Sequence, residues 1–212
     1  MGTQKEALDK LSRYVEMVSK KIKEDLRINE ENTIVKFILP LFDILEWEQS
    51  SDDLEYQHTL RDIGRTDIIL KIKGVPVAIV EAKSFNTDLS DRHMKQAMKY
   101  KIRARWAIIS NGREIRVYDR RFRQKWGREF FKLSYAKFME HFDLLWLLSR
   151  YRILRLNLIS NKYLEWEKLI KEKAKHTKNY VIRDFLKDAL KEDGAKYRLI
   201  RQAVSETRKI RI

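Results

Sequence analysis

The chain has 212 residues, 43% of them hydrophobic, with no cysteine and a formal net charge of +15. That length suits one domain, or one domain with a sizeable extension, and the missing cysteines exclude disulfides, zinc–thiolate sites, iron–sulfur clusters and thiol nucleophiles. No apolar run approaches the roughly 18 residues of a membrane span, the N-terminus lacks the continuous apolar stretch of a signal peptide, and His58, His93, His141 and His176 stand too far apart for metal-ligand spacing. A cytoplasmic protein with no membrane partner is expected.

From the N-terminus, Ala7, Leu8, Leu11, Val15, Val18, Ile22 and Leu26 recur at three- and four-residue steps, which predicts an amphipathic helix over 4–27. Ile34, Phe37, Ile38, Leu41, Phe42 and Leu45 predict a second helix over 30–45, capped by Asn29 and disturbed at Pro40. The period then changes to two. "TDIILKI" and "VPVAIVEAK" read as strands joined by a hairpin at "KGV". A helix over 90–103 with Ser90 as its cap follows, then the short buried strand "RWAIIS", a two-residue turn at Asn111–Gly112, and the strand "EIRVYD". From residue 120 the stripes are helical, in "SYAKFMEHFDLLWLLS", "NKYLEWEKLIKEKAK", "NYVIRDFLKDALKE" and "AKYRLIRQAVSETRK", with Gly194 as a helix stop. The expected division is a core over 1–119 and a helical extension over 120–212, with a soft boundary.

Charge follows the same division. Residues 1–119 hold 21 basic and 20 acidic side chains, and residues 120–212 hold 25 and 11. A basic segment joined to a balanced one points to a polyanion, nucleic acid above all. Arg120, Arg121, Arg123, Lys125 and Arg128 cluster around Phe122 and Trp126, a pattern that grips phosphates. The apolar stripes of the extension equally suit a homodimer interface.

The chemistry concentrates on "VEAK". Residues two apart on a strand share a face, so Glu81 and Lys83 project together. If "KIKGV" turns a hairpin, Asp67 of the preceding strand lies beside Glu81. Two neighbouring carboxylates repel unless a cation joins them, and Mg²⁺ is the hard ion that oxygen donors suit. Lys83 would hold or deprotonate an attacking water, or steady developing charge. Read alone, Glu81 and Lys83 also suit a solvated ion pair at a strand end.

An aspartate, thirteen residues and "EAK" resembles the PD-(D/E)XK nuclease superfamily. The wider stretch, "NEENTIVKFILPLFDILEW", "GRTDIILKIKGVPVAIVEAKS" and "QAMKYKIRARWAIISNGREIRVYD", resembles the N-terminal nuclease domain of type I restriction enzyme R subunits and their stand-alone relatives, over about residues 28–119. The resemblance implies an α+β fold with a restriction-endonuclease-like αβββαβ core and a mixed central sheet. It implies an Mg²⁺-dependent endonuclease of DNA, with Mn²⁺ able to substitute. Asp67 and Glu81 would be metal ligands with the Ala82 carbonyl as a third, and Lys83 the catalytic lysine. Glu30, with Glu31 as its alternative, would be the helix glutamate, and Gln96 and Tyr100 the "QxxxY" pair facing the site or the scissile backbone. The phosphate-binding GxxxxGK[ST] of the R-subunit motor is absent from the sequence, so no ATP is expected, and Thr66 stands where the superfamily's proline does. A nuclease-like module that binds DNA or docks to a restriction complex without cutting, and a nuclease of RNA, remain alternatives. The specificity or motor partner of such a complex is left open.

Overall fold

The computed structural model describes residues 4–60, 64–100, 102–121, 128–177, 180 and 193–207. The chain divides into two compact units, Met1–Tyr151 and Arg152–Ile212.

The first unit opens with α1 (Gln4–Lys23), which buries Ala7, Leu11, Tyr14 and Val18 on one stripe. It ends earlier than its apolar pattern predicts. Asp25 takes a left-handed φ of 47°, and Leu26 lies beyond the helix, 46% exposed. Next come α2 (Glu30–Thr33), a π-helical turn (Ile34–Ile38) and α3 (Leu39–Ile44). Asn29 caps α2 by accepting the Asn32 main-chain N–H at 2.9 Å, as its position predicts. The disturbance expected at Pro40 takes the form of the π turn. Proline has no N–H and its ring crowds the carbonyl four residues back; here the ladder widens just before it, with the Leu39 N–H reaching Ile34 five residues back.

Six strands form one sheet in chain order: β1 (Leu54–Leu60), β2 (Gly64–Ile72), β3 (Val75–Ala82), β4 (Trp106–Ser110), β5 (Glu114–Asp119) and β6 (Arg128–Ser134). Every neighbouring pair is antiparallel except β3 and β4, which run parallel across the helix α4 (Asp91–Lys99). Helix, three strands, helix and parallel strand give the αβββαβ core and the mixed sheet of an α+β fold. The β2–β3 hairpin turns at Lys73 and Gly74, both with positive φ (51° and 76°), between the paired residues Ile72 and Val75. This is the geometry of a tight primed turn. The second hairpin differs from expectation: its tip is Gly112–Arg113, one residue later than predicted. Asn111 closes it by reaching the Glu114 carbonyl with its N–H and accepting the Arg113 and Glu114 N–H groups on its side chain.

That tip is seated on the N-terminal helices. Tyr14 Oη donates to the Gly112 carbonyl at 2.8 Å, and a Cβ at Gly112 would stand 2.6 Å from Phe37 Cβ. Gly112 has φ +80°. Gly112→Ala should therefore lose about 2–3 kcal/mol from combined left-handed strain and overpacking. Calorimetry should show this as a melting temperature lower by several degrees.

The boundary near residue 120 is not observed. β6 extends the sheet, burying Phe130, Phe131 and Leu133, and the first unit continues to Tyr151. The stretch expected as one helix after it is broken into a 3₁₀ turn (Tyr135–Lys137), α5 (Phe142–Leu145) and another 3₁₀ turn (Trp146–Leu148). It is fastened to the core by Trp47 Nε1 on the Leu148 carbonyl at 2.8 Å, and by Arg150, which donates its N–H to Leu45 and pairs with the buried Asp53.

In the second unit, α6 (Ile153–His176) packs against α7 (Asp193–Thr207), and Ile153, Leu156, Ile159, Tyr163, Tyr197, Ile200 and Ala203 are buried. Gly194 sits in the first turn of α7 instead of stopping a helix. The stripe predicted in "NYVIRDFLKDALKE" lies outside the described residues except for Tyr180. Among the described residues, no helix is long and apolar enough to cross a membrane.

Candidate active site

The register of β2 and β3 decides which side chains meet. Ile68 lies opposite Val80, so one step further Asp67 comes alongside Glu81, and opposed residues of an antiparallel pair share a face. Asp67 Oδ2 accepts the main-chain N–H of Ala82 at 2.7 Å. A strand residue's N–H and C=O leave the chain on the same side, which puts the Ala82 carbonyl towards Asp67 as well. On the opposite side, the Lys83 N–H bonds to Ser110 of β4 at 2.9 Å.

Glu81 is 1% exposed, and both of its oxygens are engaged. Lys83 Nζ donates to Oε1 at 2.6 Å and Tyr100 Oη to Oε2 at 2.7 Å. Lys83 Nζ also lies 3.4 Å from Glu30 Oε2, whereas Glu31 faces solvent. Of the two helix glutamates, Glu30 is the one at the site. Its position is set by the chain leaving β3: the Phe85 N–H reaches Thr33 Oγ1 at 2.9 Å and the Ile28 carbonyl at 3.2 Å, holding the α2 segment against Lys83. Phe85 packs against Phe37, with ring centroids 4.5 Å apart and planes tilted by 32°.

The electrostatics follow from this burial. Desolvation lifts the Glu81 carboxyl above the usual carboxylate range, against the hydrogen bond and charge of Lys83; the nearby Asp67 charge pushes it further up. Burial works against the Lys83 ammonium, but its hydrogen bond with Glu81 and the charges of Glu81, Glu30 and Asp67 outweigh it, so Lys83 is held above its ordinary value and stays charged. Burial, and then the charge of Glu81, raise Tyr100, keeping its hydroxyl a donor.

Gln96, on the exposed face of α4, hydrogen-bonds Tyr100 and so backs the site at one remove. Tyr100 departs from expectation in two ways. The helix ends at Lys99, leaving Tyr100 in extended backbone, and the residue is 6% exposed with its hydroxyl on Glu81. Removing that donor has a measurable consequence. Tyr100→Phe should push Glu81 higher still, because a hydrogen bond that favours its charged form is lost. A carboxyl raised in the folded state binds its proton there first, so stability falls as pH climbs from the usual carboxylate range through the raised value. The variant should extend that fall to higher pH, as an NMR titration of the Glu81 carboxyl in metal-free protein would report.

One residue at the site was not foreseen. His93, third residue of α4, accepts the Ser90 N–H on Nδ1 at 3.1 Å in a capping box and lies within electrostatic reach of Lys83 and Glu30. Ser90 three residues ahead of a polar side chain was the available signal, but histidine is an unusual partner there.

The basic cluster is largely committed to the fold. Arg120 donates to the carbonyls of Tyr100, Ile102 and Ala104 at 2.6–2.8 Å. Arg121 and Arg105 converge on Asp119, which is 1% exposed. Burial raises the Asp119 carboxyl, but these two guanidinium groups outweigh that and hold it below its ordinary value. Arg120 and Arg121 thus have partners within the fold, Arg121 with its side chain still 41% exposed. Arg123 and Lys125 lie outside the described residues, and Arg128 is described only as the residue of β6 opposite Asp119.

Asp67, Glu81 and the Ala82 carbonyl offer hard oxygen donors at one strand end, and two facing carboxylates, one of them buried, call for a cation between them. This donor chemistry fits Mg²⁺ or Mn²⁺. Among the described residues no three metal-ligating side chains cluster, so main-chain and water oxygens would complete the shell.

The family model of the type I restriction enzyme R protein N terminus matches residues 53–126. Among solved structures, a fragment described as an HsdR subunit of a type I restriction enzyme from Vibrio vulnificus YJ016 is 23% identical with a TM-score of 0.44, over 57% of this chain and 26% of that one. The chain thus spans about a quarter of that relative's length. No curated protein matches it. Across residues 53–126, which hold Asp67, Glu81, Lys83, Gln96 and Tyr100, the chain is similar to the N terminus of the type I restriction enzyme R protein, the family its sequence resembles.

Proposed function

We propose that this protein is a metal-dependent endonuclease that hydrolyses phosphodiester bonds of DNA. The observation that carries this reading is the convergence of Asp67, Glu81, Lys83 and Glu30 where β2 and β3 leave the core. Asp67, Glu81 and the Ala82 carbonyl would hold Mg²⁺ or Mn²⁺. When bound, such an ion supplies charge neutralisation at the phosphate and acidification of the attacking water. The chain's own groups do the rest. Tyr100 and Lys83 fix both oxygens of Glu81, and the Ala82 N–H fixes Asp67, so the acidic face is set before substrate arrives. The Lys83 ammonium, positively charged and shared between Glu81 and Glu30, is placed to orient a water or to stabilise the developing negative charge.

Similarity to a restriction-enzyme R protein supports nucleic acid as substrate and a larger restriction complex as partner. Incubation with supercoiled plasmid in Mg²⁺, Mn²⁺ or EDTA tests the reading. Nicked or linear DNA that depends on the ion is expected. Retained binding with no cutting in either ion would instead indicate a nuclease-like binding module, and a parallel incubation with RNA separates the two substrates.

A further inference from the structure

We propose that the groove between the end of α1 and the start of α2, lined by Lys21, Arg27 and Lys36, carries the phosphate backbone of the nucleic acid that enters the candidate active site. This rests on the nuclease reading and names a surface for its substrate.

The groove has a volume of about 310 Å³, and its lining includes three basic side chains and no acidic one. Among the described residues, Arg27 and Lys36 pair with no carboxylate, although the chain around them contains Glu24, Asp25, Glu30 and Glu31. Lys21 pairs with Glu24 at 2.6 Å, but both side chains are about a third exposed. Such a surface pair contributes little and yields readily to a phosphate. The remaining lining suits the rest of a nucleotide. Leu26, 46% exposed, presents apolar surface for sugar contacts. Asn29 accepts the Asn32 side chain and main chain on Oδ1, which leaves its amide N–H groups for an acceptor.

Position adds the second argument. Asn29 lines the groove and the next residue, Glu30, lies 3.4 Å from Lys83 Nζ. The same segment is pinned to the chain leaving β3, with the Ile28 carbonyl on the Phe85 N–H and the Ile28 N–H on Asn86 Oδ1. A backbone seated on Arg27 and Lys36 is therefore led past Asn29 to the carboxylates. The sequence pointed to the Arg120 cluster for this task, and the structure commits Arg120 and Arg121 elsewhere.

The test is equilibrium binding of the full chain to a labelled duplex oligonucleotide over a range of salt. Two double variants are compared, Arg27→Glu with Lys36→Glu, and Lys5→Glu with Arg13→Glu. The second pair changes net charge equally on α1, with Arg13 about 12 Å along the helix from Lys21. The groove variant should flatten the log–log salt slope by about 1.8, two contacts at roughly 0.9 each, and weaken binding by tenfold to a hundredfold at about 0.1 M salt. The control should change neither by as much. An unchanged slope in the groove variant, or an equal change in both variants, overturns the proposal. Plasmid cleavage by the unmodified protein is scored separately. A flattened slope without any cleavage would uphold the groove and remove the nuclease reading, and cleavage with an unchanged slope would do the reverse.

Discussion

Asp67→Ala and Glu81→Ala are each expected to lower DNA cleavage by about a thousandfold or more while leaving most DNA affinity in place. The two carboxylates are proposed to hold the ion that the chemistry needs, and loss of such a charge-stabilising element costs at least the hundred- to thousandfold seen for single transition-state donors. Lys83→Ala should stop cleavage as severely but by another route. It removes a donor, not a ligand, so calorimetric titration with Mn²⁺ should find binding nearly intact in Lys83→Ala and lost in Glu81→Ala. Stability separates them further. Without Lys83, Glu81 is left buried with its main counter-charge gone, and breaking a buried pair in this way costs about 3–5 kcal/mol. Mn²⁺ should restore part of that loss by taking the ammonium's place beside Glu81. Equal loss of Mn²⁺ binding in the two variants, or more than a few per cent of cleavage surviving in Asp67→Ala, would overturn this division of roles.

The second large effect is expected away from the chemistry. Arg120→Ala removes a guanidinium that closes three carbonyls of the segment joining α4 to β4. Hydrogen bonds from a charged donor contribute about 1.5–3 kcal/mol each, and unmet buried carbonyls add their own cost. A loss of about 3–5 kcal/mol follows, visible as a melting temperature lower by about 10 °C or more. Arg120→Lys should rescue little, because an ammonium cannot reproduce the planar fork that spans separate acceptors. Wherever the Arg120→Ala variant is still folded, its salt slope for DNA binding should match that of the unmodified protein. A normal melting temperature with a slope flattened by about 0.9 would return Arg120 to the phosphate-contact role that its place in the sequence suggested.

The strands that escaped the sequence show where pattern reading loses its grip. β1 and β6 lie at the two edges of the sheet, each with one neighbour. An edge strand is less completely buried than a central one, so it need not read as a continuous apolar run. β1 is the mixed string "LEYQHTL", and β6 follows a run of arginines and carries adjacent Phe130 and Phe131, which blurs its alternation. By contrast, β3 and β4 lie inside the sheet and were legible as runs of buried Val, Ala and Ile.

The sequence by itself determined the central strands, the β2–β3 hairpin, the caps at Asn29 and Ser90, and the pairing of Asp67 with Glu81 and Lys83. All of these depend on period, turn residues and separations of a few residues, which are local quantities. Only the tertiary structure decided that Glu30 and not Glu31 meets Lys83, that Tyr100 turns inward onto Glu81, and that the first unit runs on to Tyr151. It also decided which arginines are engaged within the fold. A guanidinium looks the same in sequence whether it faces a phosphate or a main-chain carbonyl. The difference lies in which acceptors the folded chain brings within about 3 Å of it, and those of Arg120 come from residues 16 to 20 positions away.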